Sequence, residues 1–349
     1  MRCTEMRKKV LIIYSGGTIG MVETDRGYAP KADYFFHELK QIPDLNSDEM
    51  PLWDMVEFTP LLDSSNIAVN EWNRIGKMIY ENYDKYDGFV VLHGTDTMAY
   101  TASAISFMLE NLDKPVIFTG SQIPLCKLRS DAEDNLITSV MIAGEGIVRE
   151  VCLYFGGKLM RGCSCIKASA DGLVAFDSPN MDILADAGIS IDYREPVYYK
   201  KKPEKPLKYI EFRQSMIGVI KIFPGIQFRL FESIMTDSLK GIVLETFGTG
   251  NIPEYDDDLL PIVRKAFENG TIVVVCSQCQ QGTVRLGAYE TSSRLAKAGA
   301  VSGWNMTTEA AVAKLYYLLS KDLSISEIKV LMEENLRGEL TENPMAVHS

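Results

Sequence analysis

A two-domain α/β protein is predicted by three features of this chain. Short runs of buried-strand residues alternate with amphipathic segments, a basic and proline-rich break falls near residue 200, and 349 residues at 46% hydrophobic can bury a sizeable core. The pattern places a larger N-terminal domain over 1–192, with a mainly parallel sheet flanked by helices. Residues 193–212 read as a linker, and 213–349 as a smaller C-terminal α/β domain.

Val10–Tyr14 is the first strand, ending in Ser15-Gly-Gly-Thr18. Residues 21–30 are polar and glycine-punctuated with no clear period, which suits a mobile surface loop. Asn70 is placed to cap a helix carrying Trp72, Ile75, Ile79 and Tyr83 at helical spacing. Phe89–Leu92 is the second strand, leading through Thr95 into a helix of small and apolar residues, Ala99–Leu112, closed by Asp113-Lys-Pro115. A third strand runs from Val116 to a turn at Gly120-Ser121, and Ser130 with Glu133 reads as a capping box opening a helix to about Ala143. Val151–Phe155 is a further strand, followed by the Gly156-Gly157 turn and the segment Ile166-Lys167-Ala168-Ser169. Beyond the linker, strands are expected near 217–223, 241–247 and 271–276. Thr307 starts an apolar helix to about Leu319, Ser324 and Glu327 box a last helix to about Arg337, and the tail from Gly338 is expected to fray.

Composition excludes several chemistries. With 36 basic and 47 acidic side chains the formal net charge is −11, so nucleic-acid backbones and anionic membranes are poor partners. Seven scattered cysteines in a long chain are not a disulfide framework, and Cys163, Cys165, Cys276 and Cys279 read as structural thiols. Three histidines, His37, His93 and His348, lack metal-ligand spacing, so no metal is expected. Arg7-Lys-Lys9 precedes an apolar run too short for a secretory signal, and nothing approaches the ~20 apolar residues of a membrane span, which makes a cytoplasmic location the expectation.

The reactive groups cluster at strand ends. Gly16-Gly17-Thr18 fits neither dinucleotide-binding nor phosphate-loop spacing. It is either an ordinary turn, or a site where glycines let substrate approach a Thr18 nucleophile that needs a base and an oxyanion stabiliser. Thr95-Asp96 sets a hydroxyl beside a carboxylate at a helix start, where Asp96 alone reads as an N-cap. Lys167 on an apolar segment is either a snorkelling surface residue or a partly desolvated amine able to share a proton with Thr95. Tyr28, on the polar loop, is placed to close over such a site.

Ser15-Gly-Gly17-Thr18-Ile-Gly20 and His93-Gly-Thr95-Asp96-Thr97-Met-Ala-Tyr100 resemble the two signature blocks of the bacterial-type L-asparaginases. The likeness continues through Thr59-Pro-Leu-Leu-Asp63-Ser64-Ser65, Thr119-Gly-Ser121-Gln122-Ile-Pro124, Arg129-Ser-Asp131, Lys167-Ala-Ser-Ala-Asp171-Gly172 and Asn335-Leu-Arg-Gly-Glu-Leu340. The cytoplasmic type I branch is the nearest match, with Ser15 standing where Thr is usual. The resemblance implies hydrolysis of L-asparagine to L-aspartate and ammonia, with glutamine a weaker substrate. It implies attack by Thr18 with help from Tyr28, a Thr95–Lys167–Asp96 proton relay, and a β-aspartyl ester intermediate. Gly17, Asp63, Ser64, Ser65, Thr95, Asp96 and Ser121 would bind substrate, and Asn251 and Tyr289 would reach a neighbouring subunit's site in a homodimer or homotetramer. No cofactor is implied. Two alternatives share the scaffold: a non-catalytic asparagine sensor, and an ammonia-releasing amidotransferase subunit, against which the short segment before Thr18 and the net acidity both count.

Overall fold

The computed structural model describes residues 7–25, 27–31, 33–194, 202–234, 236, 238–253, 259–287 and 290–341. The chain divides into two units, Met1–Ser178 with Asp182–Glu211, and Pro179–Met181 with Phe212–Ser349.

Residues Val10–Tyr14 are an unbroken apolar run because the strand that holds them is covered on both faces; each is at most 1% exposed. That strand, Lys9–Gly16, lies inside an eight-stranded sheet. The strand order is Ile191–Tyr193, Ala185–Ala187, Lys158–Arg161, Val151–Phe155, Val116–Thr119, Gly88–Leu92, Lys9–Gly16, Leu52–Leu62. Pairing is parallel from Leu52–Leu62 across to Val151–Phe155, and antiparallel beyond it. After Lys9–Gly16 the chain adds Leu52–Leu62 on one side, then returns to place Gly88–Leu92 on the other. The direction of winding therefore reverses between Lys9–Gly16 and Gly88–Leu92, the kind of edge where open α/β sheets bind ligands.

Helices Met98–Met108 and Ala132–Glu145 pack on this sheet, and Val69–Asn82 packs against Met98–Met108. Trp72, Ile75 and Ile79 form the buried stripe of the first. Met98–Met108 is apolar nearly all round because it is buried nearly all round.

Several local expectations differ from what is found. Residues 21–30 contain a hairpin, Met21–Thr24 against Gly27–Pro30. Gly27 at φ 107° makes the reversal, and the Thr24 hydroxyl donates to the Gly27 carbonyl, so a short polar hairpin arises without hydrophobic alternation. The helix Val69–Asn82 starts from Ala68, not Asn70; Glu71 accepts the Ala68 N–H and closes the first turn. The helix expected to reach Leu112 stops at Met108, because Leu109–Glu110 pairs as a strand with Lys208–Tyr209. Ser130 is not half of a capping box: Asp131 holds the cap position, and the Ser130 hydroxyl donates to the Ile123 carbonyl and accepts from the Ala132 N–H.

In the second unit, Met216–Lys221, Leu239–Thr246, Ile272–Ser277 and Val301–Ser302 form a four-stranded parallel sheet. The Thr307 cap and the Ser324–Glu327 capping box are both present, although the last helix ends at Glu333. Residues 338–341 do not fray. Glu339 and Lys314 form a fully buried ion pair at 2.5 Å, and Glu339 also accepts the N–H groups of Leu336 and Arg337. Cys152, Cys163, Cys165 and Cys276 are buried, whereas Cys279, expected with them as a structural thiol, is exposed. Among the described residues no cluster of metal-ligating side chains occurs, and no helix is long and apolar enough to cross a membrane.

Candidate active site

Parallel register sets the C-terminal ends of three neighbouring strands level, with Tyr14 beside Leu92 and Leu92 beside Thr119. The turns that follow therefore open at one edge. The Ser15 hydroxyl donates to the Leu92 carbonyl at 2.8 Å and fixes the first two ends together, so a serine suffices at that position.

Glycines let these turns touch. Gly16 at φ 133° lies so close to Leu62 that a Cβ would sit 2.1 Å from the Leu62 carbonyl oxygen. Gly17 at φ 92° lies against Gly94, where a Cβ would be 2.4 Å from the Gly94 nitrogen. A Cβ on Gly94 would in turn meet the Ser64 Oγ at 2.5 Å. Bare backbone at these points brings the Thr18 turn, the Asp63-Ser64 turn and the Thr95 turn together.

The cleft they form has a volume of about 340 Å³ and is lined mainly by polar groups: Thr18, Asp63, Ser64, Thr95, Asp96, Gln122 and Lys167, with Gly17 and Gly94 backbone. Lys167 reaches it from the short strand Ile166–Lys167, which is paired with Phe176–Asp177 and anchored by Phe176 against Phe155. Its ammonium donates to Thr95 Oγ1 at 2.9 Å and to Asp96 Oδ1 at 2.6 Å. Asp96 is therefore not the N-cap of the next helix; Thr97 holds that position, and the Thr97 hydroxyl donates to the Ser64 carbonyl. The snorkelling alternative for Lys167 fails as well, since its side chain is 20% exposed and its charge is engaged in the cleft by Asp96 and Thr95.

Gln122 is the residue that sequence reasoning missed. Its Nε2 donates to the Ala170 and Gly172 carbonyls, which leaves Oε1 to accept the Thr95 hydroxyl at 3.1 Å. Its backbone N–H is held by Asp131, which also holds the Ile123 N–H. The available signal was position: Gln122 follows the end of the third strand, level with the other two turns.

Asp63 accepts both the N–H and the hydroxyl of Ser65 at 2.9 Å, so Ser65 orients the carboxylate from outside the cleft. The Ser121 hydroxyl donates to the Ile123 carbonyl and is turned away from the cleft. Tyr28 does not line it either: hairpin register sets Tyr28 opposite Glu23, its side chain is 48% exposed, and Lys127 Nζ lies 5.3 Å from the ring centre. Asn251 belongs to the second unit, in a turn bridged to Phe247. Tyr289 lies outside the described residues. His93 is buried beneath the cleft, and desolvation pushes its pKa down to about 4. A carbonyl can only accept, so its Nδ1 carries the hydrogen given to the Gly94 oxygen, and Nε2 is an unpartnered acceptor.

Known proteins match this chain along nearly its whole length. A family model described as "Asparaginase, N-terminal" matches residues 9–199, and one described as "Glutaminase/Asparaginase C-terminal domain" matches 216–332. L-asparaginase 1 of Escherichia coli K12 is 44% identical over 335 residues, covering 96% of this chain and 98% of the relative. The crystal structure of L-asparaginase I from Vibrio cholerae superposes with a TM-score of 0.90 at 46% identity, over 96% of this chain and 99% of that one. A glutamyl-tRNA(Gln) amidotransferase subunit from Thermococcus kodakarensis is 33% identical, covering 95% of this chain and 76% of its own length.

Proposed function

The chain belongs to the bacterial-type L-asparaginase family, in its type I branch, and from that premise we propose how its N-terminal cleft hydrolyses L-asparagine to L-aspartate and ammonia. One observation carries the reading: Lys167 bridges the Thr95 hydroxyl and the Asp96 carboxylate in the same cleft that Thr18 lines. A hydroxyl, an ammonium and a carboxylate in series can pass a proton without building up an isolated charge.

In the proposed sequence Thr18 Oγ1 attacks the side-chain amide carbon and loses its proton to Tyr28, which the 21–30 hairpin brings over the bound substrate. The C–N bond breaks, the departing nitrogen takes from Tyr28 the proton that Thr18 lost and leaves as ammonia, and a β-aspartyl ester remains on Thr18. Water then attacks the ester carbon while the Thr95 hydroxyl, held by Lys167 and Asp96, relays a water proton to Thr18 Oγ1; the acyl C–O bond breaks, aspartate leaves and the Thr18 hydroxyl is restored. Splitting one difficult amide cleavage into two acyl transfers lowers each barrier. Asp63 and Asp96 supply two carboxylates against the single ammonium of Lys167, an excess of negative charge that suits the α-ammonium of an amino acid. Ser64 and the Gly17 backbone, which line the same cleft, would hold the α-carboxylate, and Ser65 and Ser121 would support the turns.

One added methylene in a pocket separates substrates by only ~1–3 kcal/mol, so slow turnover of glutamine accompanies this activity. The reading keeps a cytoplasmic enzyme, without cofactor, that works as a homodimer or homotetramer in which Asn251 and Tyr289 serve a neighbouring subunit's site.

The deciding experiment measures ammonia release from L-asparagine by the purified chain and its Thr18→Ala, Thr95→Ala and Lys167→Met variants. Wild type releases ammonia, and each variant still binds asparagine while kcat falls by about 10²–10⁴-fold. No release by wild type would identify a sensor; near-normal kcat in any variant would remove that residue from its role.

A further inference from the structure

We propose that the second unit carries a binding site for a small polyanion of the phosphate class, in the cleft between helices Leu259–Glu268 and Glu290–Lys297. The cleft has a volume of about 370 Å³ and gathers Arg264, Lys265, Arg294 and Lys297 around Glu268, the one carboxylate in its lining among the described residues. These cations converge on a chain whose formal charge is −11, where like charges have ample acid elsewhere to pair with.

Helical spacing makes the convergence. Ile262, Val263 and Ala266 turn one face of the first helix to the core, and Leu295 and Ala298 anchor the second. Arg264 and Lys265 are left on the outer surface of the first, and Arg294 and Lys297, three residues apart, share a side of the second. Among the described residues no ion pair involves Arg264, Lys265 or Lys297, and Glu268 does not pair with Arg264 four residues before it. Behind the cleft, Gly299 at φ 107° lies so close to Phe267, the neighbour of Glu268 in sequence, that a Cβ would sit 2.6 Å from the ring.

Cations in the last turns of helices also complement the helix dipole, and Lys265, Arg294 and Lys297 occupy such turns. That accounts for a cation at each helix end. It does not account for Arg264, nor for Arg264, Lys265 and Lys297 opening into one cleft with no ion pair among the described residues. A phosphate group accepts from several such donors at once, and arginine meets it with two parallel hydrogen bonds.

The test is calorimetric titration of the full chain with pyrophosphate and, separately, ADP, at ~50 and ~150 mM salt. Saturable binding of one anion per chain is expected, weakening with salt and reduced tenfold or more by Arg264→Glu with Lys297→Glu. Asparagine hydrolysis stays unchanged in that variant, which shows that it folds. Equal binding of both probes assigns free phosphates as the ligand class; tighter ADP assigns a nucleotide. Lys77→Glu, an exposed charge on the helix Val69–Asn82, is the control and leaves binding intact. No saturable binding of either probe at millimolar concentration overturns the proposal. An equal loss in Lys77→Glu, or no loss in the double variant, overturns it too, since either would make the binding a property of surface charge in general.

Discussion

Gly17 and Gly94 meet backbone to backbone: a Cβ on Gly17 would stand 2.4 Å from the Gly94 nitrogen and 2.6 Å from its Cα. This contact joins the turn that ends in Thr18 to the turn that carries Thr95. Residues 77 positions apart in sequence thereby line one cleft.

Gly17→Ala is expected to break that contact. The added methyl has no space, and φ of 92° is strained for any residue with a Cβ. The turns must separate, which costs about 2 kcal/mol or more of stability and about 10²-fold in kcat/KM through misplacement of the Thr18 hydroxyl. Urea unfolding and steady-state kinetics on one preparation check both effects.

Gln122→Leu is expected to lower kcat about ten- to a hundredfold while KM changes little. The variant removes the acceptor of the Thr95 hydroxyl and the donors to the Ala170 and Gly172 carbonyls. Thr95 is then free to rotate, and the segment that carries Lys167 loses a tie. Gln122→Glu keeps an acceptor for Thr95 but no donor for the carbonyls, so it recovers part of the rate if the hydroxyl orientation matters most. Equal rates in wild type and Gln122→Leu would show that Gln122 plays no part.

His93 is expected to be neutral throughout the physiological range, with a ring titration midpoint near 4 because burial disfavours its charged form. In the unfolded chain it binds a proton at its ordinary value near 6.5, so between about 6.5 and 4 the unfolded state holds more protons than the folded state. Stability therefore rises with pH across that window and is lost on acidification, by about 3 kcal/mol from this group. Proton NMR of the imidazole reads the midpoint. Urea unfolding at pH 4.5 and 7 should show a smaller acid loss in His93→Gln than in wild type.

Lys314→Met is expected to cost about 3–5 kcal/mol, because it strands the Glu339 carboxylate in a site with no exposure. Lys314→Met with Glu339→Leu removes both charges and recovers most of that loss. The two variants and the Glu339→Leu single variant form a double-mutant cycle readable by thermal unfolding. Strict additivity in that cycle would show that the pair is not coupled.

The central strand runs were legible because burial on both faces writes itself as continuous apolar sequence. Val10–Tyr14 and Phe89–Leu92 needed no tertiary knowledge. The hairpin at 21–30 was illegible for the converse reason: its two strands are half-buried or exposed, so no periodic pattern marks them. The helix end at Met108 was set by Lys208–Tyr209, a strand a hundred residues away that no local signal announces.

Within the cleft, sequence alone singled out Thr18, Thr95, Asp96 and Lys167 as candidates at strand ends and turns, each with an ordinary structural alternative, and only the family resemblance implied roles for them, since residue type and local pattern are one-dimensional facts. Tertiary structure decided which of them meet. Lys167 chose Asp96 and Thr95 over solvent, Asp96 left its cap role to Thr97, and Gln122 entered the hydrogen-bond network unannounced. The physical reason is distance: a hydrogen bond is decided within about 3 Å, and the register of a parallel sheet, together with two glycines that let backbones touch, sets those separations.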